Sequence, residues 1–147
     1  MKKLLSGLTA IGLLFLTSCR TYDPNKIELT LSGWQSNPNE GKLLNQLIQK
    51  FEAEHPNIDV RFEVINSQYP DVIRTRLIGG VAPDVFYLDA YEAPLFMKSG
   101  VLEPLNSYIK PEFNLNDFEP RLLNAFKQGE TLYGIPKDFS TLGLFYN

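Results

Sequence analysis

Ile27-Glu28-Leu29-Thr30-Leu31-Ser32 and Ile58-Asp59-Val60-Arg61-Phe62-Glu63-Val64 frame the stretch that decides the fold. Both segments alternate apolar with polar residues, so each predicts a strand. Between them, Asn37-Pro38-Asn39-Glu40 predicts a helix start. Asn37 suits the N-cap, Pro38 the first helical position, and Glu40 the far side of a capping box. Leu43, Leu44, Leu47, Ile48 and Phe51 then fall on one helical face. His55-Pro56-Asn57 ends the helix.

The pattern continues toward the C-terminus. A helix is predicted over Pro70–Ile78, stopped by Gly79-Gly80. Asp84–Leu88 predicts a short third strand, apolar as a buried parallel strand should be. Asp89-Ala90-Tyr91-Glu92 leads into a helix that Gly100 terminates. Leu115–Phe126 predicts another helix, and 132–136 and 142–146 two more strands. Strands alternating with helices imply an α/β layer fold with a mainly parallel sheet flanked by helices. No G-x-G-x-x-G follows the first strand and no P-loop is present, so nucleotide-binding sheets are not indicated. In open α/β sheets, ligands sit beyond the carboxyl ends of the strands. Here those ends are Gly33-Trp34-Gln35, Ile65-Asn66-Ser67 and Asp89-Ala90-Tyr91.

Composition narrows the function classes. The chain has 147 residues, 14 basic and 17 acidic side chains, one His and one Cys. A net charge of −3 argues against a nucleic-acid binder, which needs a basic surplus. One Cys excludes an intrachain disulfide, and one His excludes multi-histidine metal centres. No cofactor or metal is expected.

Upstream, Lys2 and Lys3 precede an uncharged, mostly apolar run from Leu4 to Leu16. This run is shorter than the roughly 20 residues of a membrane span and fits a secretory signal. Leu16-Thr17-Ser18-Cys19 follows, and it resembles the lipobox of bacterial lipoproteins. The resemblance implies a signal peptide over 1–18, a diacylated Cys19, and a polar tether to residue 26. Residues 27–147 would form the soluble domain. The chain closes inside a predicted strand at Asn147, which suggests a fragment of a longer protein.

Further stretches fall in a recognisable order. They include 47–60 with Glu54-His55-Pro56-Asn57, then Gly80-Val81-Ala82-Pro83-Asp84-Val85-Phe86 and Ser99-Gly100-Val101-Leu102-Glu103-Pro104-Leu105. Gly134-Ile135-Pro136-Lys137-Asp138 and Leu144-Phe145-Tyr146-Asn147 complete the set. With the lipobox and Trp34, the series resembles family 1 of the bacterial extracellular solute-binding proteins. These are sugar-binding lipoproteins of ABC importers, the maltose-binding-protein type. The resemblance implies a type II periplasmic-binding-protein lobe, truncated before the second lobe. It further implies capture of a carbohydrate between two lobes, delivery to an ABC permease, and no catalysis. The protein would be a monomer outside the cytoplasm, tied to the cell membrane through Cys19. A degenerate or truncated lipid-anchored interaction module is the alternative.

Sugars offer hydroxyl rims and apolar C–H faces, so their sites need aromatic rings and carboxylates or amides. The resemblance places candidates on the strand-end loops. Trp34 is either a stacking platform or a core tryptophan. Gln35 and Glu40 are hydrogen-bonding candidates, with the capping box favoured for Glu40. Asp89 is a ligand residue or a helix N-cap, and Tyr91 a stacking ring or a core residue. Lys137 and Asp138 lie on the cleft-edge segment, with Asp138 the stronger ligand candidate. Asp84 is assigned a structural role, and Tyr69-Pro70 either lines the cleft or opens a helix, the helix start being favoured. An exported glycosidase would pair Asp89 with Asp138, but nothing else in the chain argues for catalysis.

Overall fold

The structure, a computed structural model, describes residues 24–140. The expected signal peptide over 1–18, Cys19 and the strand expected over 142–146 lie outside the described residues.

Strand β1 (Ile27–Gly33), helix α1 (Pro38–Glu54) and strand β2 (Ile58–Val64) form the expected strand–helix–strand unit. Helix α2 (Tyr69–Ile78), strand β3 (Val85–Phe86) and helix α3 (Ala93–Ser99) follow. The sheet order is β2-β1-β3 and every pairing within it is parallel. Ile27 stands opposite Ile58, Gly33 opposite Val64, and Ser32 opposite Phe86. This central β1 brings its carboxyl end between those of β2 and β3.

Strand β3 is shorter than the predicted Asp84–Leu88. At its start the Asp84 carboxylate replaces a backbone rung. Oδ2 accepts from Thr30 N–H at 2.8 Å and from the Thr30 hydroxyl at 2.7 Å. At its end, Tyr87 N–H still donates to Ser32 at 2.9 Å, but β1 stops at Gly33 and leaves Leu88 no partner strand.

Asn37 caps α1 as expected: its Oδ1 accepts from Glu40 N–H at 3.0 Å. Glu40 reaches back to Ser36 N–H at 2.8 Å, one residue before the usual capping-box partner. The apolar face of α1 splits. Leu44 and Ile48 are half-buried, whereas Leu43 and Leu47 are 59% and 55% exposed. The core lies elsewhere, around buried Tyr69, Ile73 and Phe96, with Trp34, Phe86, Tyr87 and Leu88 packed against it.

The predicted helix over 115–126 is two pieces. A 3₁₀ turn covers Leu115–Asp117, and helix α4 covers Pro120–Asn124. Phe118 and Glu119 between them have ψ of 142° and 123°. Pro120 causes the break, because its ring excludes the residue before it from helical geometry. The strand expected over 132–136 is also corrected. Strand β5 (Thr131–Leu132) forms a hairpin with β4 (Lys127–Gln128), and no regular structure covers 133–136. Gly129 turns that hairpin with φ of +61°, a conformation glycine adopts without strain. Asn106 holds the hairpin, accepting from Leu132 N–H at 2.8 Å and donating to the Glu130 carbonyl at 3.0 Å. This leads the following segment, with Lys137 and Asp138, back toward α1.

Candidate functional site

The site lies at the carboxyl ends of β1 and β3. Gly33 leaves β1 flat against the Tyr87 ring, and a Cβ there would stand 2.5 Å from that ring. Only glycine permits this approach. Trp34 follows and sits edge-to-face between two tyrosines. Its ring centroid is 5.1 Å from Tyr69 at 87° and 5.3 Å from Tyr87 at 80°. Edge-to-face geometry sets the positive rim of one ring against the negative face of the next. The Tyr69 hydroxyl is anchored below, donating to the Ser32 carbonyl at 2.9 Å.

These rings line a recess of about 180 Å³. Pro70 and Ile73 of α2, Leu88, Asp89 and Glu92 of the β3–α3 loop, and Phe96 of α3 complete its wall. The floor is therefore aromatic and aliphatic, and the polar groups stand at one side. Asp89 is exposed, and its Oδ1 accepts from Tyr91 N–H at 3.0 Å. It does not cap α3; the residue at that position is Glu92. The Asp89 carbonyl instead accepts from Glu92 and Ala93, fixing the turn before the helix. Glu92 is bonded to Arg74.

Lys137 stands beside the recess, against the Tyr87 ring that lines it. Its ammonium donates to Glu40 Oε1 at 2.7 Å and to Asp138 Oδ2 at 2.6 Å, and lies 4.8 Å from the Tyr87 ring centre. Burial lowers its pKa, but the bonds to Asp138 and Glu40 outweigh this and raise it well above the ordinary lysine value. Glu40 is held below the usual carboxylate range by the Lys137 bond and the Ser36 N–H. Burial pushes Tyr87 up, and pushes Tyr69 up to about 12. Both phenols are thus neutral hydrogen-bonding groups at neutral pH.

Trp34 and Asp89 line the recess, whereas Lys137, with Asp138 bonded to it, adjoins the recess only through the Tyr87 ring. Gln35 and Tyr91 stand apart from the recess. The Gln35 side chain packs on Gly41 at the start of α1, and its N–H donates to Asn66 Oδ1 at 3.0 Å. Tyr91 is 88% exposed, so it is no core residue, and it does not line the recess. Tyr69 opens α2 as expected and also lines the recess. Tyr87 was not singled out in the sequence, though its place at the carboxyl end of the third strand was the available signal. No cluster of residues suited to a metal occurs among the described residues.

An aromatic recess at a strand-end crevice, rimmed by carboxylates, suits a small polyhydroxylated ligand. The sequence profile of the bacterial extracellular solute-binding proteins matches residues 35–147. The chain belongs to this family. Among relatives of this solute-binding protein, a maltotriose-binding protein of Pyrococcus abyssi is 27% identical over 75% of the chain and 24% of its own length. A multiple sugar-binding protein of Streptococcus mutans is 23% identical over 96% of the chain and 33% of its own length. Among solved structures, an ABC substrate-binding protein of Listeria monocytogenes in complex with cycloalternan has a TM-score of 0.67 and 32% identity. That match covers 74% of this chain and 28% of the Listeria chain. The solute-binding protein thus has the α/β fold of a type II periplasmic binding protein, in a chain spanning about a quarter to a third of these relatives. No described helix is long and apolar enough to cross a membrane.

Proposed function

We propose that this solute-binding protein captures a saccharide outside the cytoplasm and hands it to the permease of an ABC importer. The observation that carries this reading is the recess built from Trp34, Tyr69 and Tyr87 at the carboxyl ends of β1 and β3. Apolar ring surface fits the C–H face of a pyranose, and Asp89 and Asp138 supply acceptors for its hydroxyls. The relatives' names support a sugar as the ligand class. A second lobe would complete the cleft and close over the ligand, and the closed form would be the one the permease recognises. Cys19, once acylated, would keep the protein at the membrane. The protein would bind its ligand and leave it chemically unchanged.

Trp34 is the chain's single tryptophan, so its fluorescence reports on the site directly. Titration of the natural protein with maltotriose and with neutral mannose and galactose oligosaccharides should give a saturable emission change with at least one of them. The same sugar should raise Tm by mass action. Trp34→Ala should abolish binding at millimolar sugar, and Asp89→Ala should weaken it about tenfold or more, as loss of a hydrogen bond to a charged acceptor does. An absence of both fluorescence change and stabilisation across the panel would favour the interaction-module alternative. Release of reducing ends from any sugar in the panel would sink the non-catalytic reading.

A further inference from the structure

We infer that the recess selects uncharged saccharides and rejects uronic acids, because the ammonium beside its Tyr87 wall, Lys137, is already held between two carboxylates. The inference rests on the saccharide reading above and adds the charge class of the ligand. A ligand carboxylate needs donors that are not already committed, most often a guanidinium or ammonium with free N–H groups. Lys137 has two of its donors on Glu40 and Asp138, and the ammonium itself lies by the Tyr87 ring. Arg74 does not line the recess; it is bonded to Glu92 and Asp71, and its Nε is closed off from solvent. Arg76 is engaged with Glu63 at 2.8 Å. The recess wall therefore carries two carboxylates, Asp89 and Glu92, with Glu40 and Asp138 beyond the Tyr87 ring, and the cations beside them, Arg74 and Lys137, are both already paired. A uronate entering over Tyr87 would meet Glu40 and Asp138, with only the third Lys137 N–H left near that ring among the described residues to offset them. A neutral sugar meets the same carboxylates as hydrogen-bond acceptors for its hydroxyls.

The test is competition on the natural protein, read by Trp34 fluorescence. The probes are maltotriose, mannotriose and galactotriose against trigalacturonic and triglucuronic acids. Binding of a neutral probe with the uronates weaker by about tenfold or more supports the inference. Uronate binding as tight as, or tighter than, every neutral probe overturns it while leaving the saccharide reading intact. Binding of none of the probes overturns both. Asp138→Asn addresses the cause, because it frees a Lys137 donor while leaving the Glu40 cap in place. The uronate-to-neutral affinity ratio should rise about fivefold or more in this variant. Glu40→Gln, which retains an amide oxygen for Ser36 N–H, should move the ratio the same way. A ratio unchanged in both variants would refute Lys137 neutralisation as the source of selectivity.

Discussion

The Ser32 carbonyl accepts twice, from the Tyr69 hydroxyl at 2.9 Å and from Tyr87 N–H at 2.9 Å. Removing one donor leaves the other, so Tyr69→Phe does not orphan the oxygen. The expected loss is about 0.5–1.5 kcal/mol, the net worth of one hydrogen bond, measured by urea denaturation at neutral pH. The same residue sets an alkaline limit. Burial pushes its pKa up to about 12, from an ordinary value of 10.0. The unfolded phenol releases its proton first, so the unfolded state holds fewer protons between those two values. Stability is therefore complete below about pH 10 and falls as pH rises toward about 12. Tyr69→Phe should shrink this decline by one proton's slope. Denaturation curves at about pH 8 and about pH 11 check it; an identical pH dependence in both proteins would refute it. Little of this role was legible. Tyr69-Pro70 reads correctly as a helix start, but only the hydroxyl bond across to Ser32, 37 positions away, sets the ring against Trp34.

Strand β3 is two residues long, and a pair of ladder rungs is a weak hold. Asp84 supplies what the strand lacks by bonding both the N–H and the hydroxyl of Thr30. Asp84→Ala should cost about 1–2 kcal/mol, the lower part of the range for charge-assisted bonds because the contact is near water. The Thr30 bonds hold the Asp84 pKa below its ordinary value of 3.8. Its contribution is thus full above about pH 4 and is lost as pH falls through the lower folded value. Asn37→Ala removes the α1 cap and should cost about 1 kcal/mol, read from the same denaturation curves. At this scale the sequence was largely readable. The alternation over 27–32 and 58–64 gave both long strands, and Asn37-Pro38-Asn39-Glu40 gave the start of α1. The failures fall on short elements. Pro120 interrupts a helical pattern, and the Gly129 turn creates a hairpin whose first strand, Lys127–Gln128, has no apolar signal. Lys137 meeting Glu40 across 97 positions is likewise beyond local pattern.

Helix α1 poses the question that belongs to the whole molecule. Its predicted apolar face holds, but only Leu44 and Ile48 are partly covered. Leu43, Leu47 and Phe51 form an i, i+4, i+8 stripe that is 59%, 55% and 38% exposed. Three apolar side chains on one helical face offer a surface to a further segment. The relatives are three to four times as long as the part this chain matches, so a covering segment is available in proteins of that length. One substitution in two contexts decides the point. In the 147-residue chain, Leu47→Lys should change stability by no more than about 0.5 kcal/mol, as an exposed substitution does, and should reduce self-association. In a chain of the relatives' length, the same change should cost about 2 kcal/mol or more, because it would bury an unpaired ammonium against apolar side chains. Paired urea titrations and sedimentation runs on the two proteins measure both effects. Equal and negligible costs in both contexts would mean that the stripe stays open in the longer protein. The proposed saccharide site follows the same logic: Trp34, Tyr69 and Tyr87 make one wall, and a chain of the relatives' length should bind the proposed ligand more tightly than the 147-residue chain because a second wall adds contacts at the ligand's opposite face.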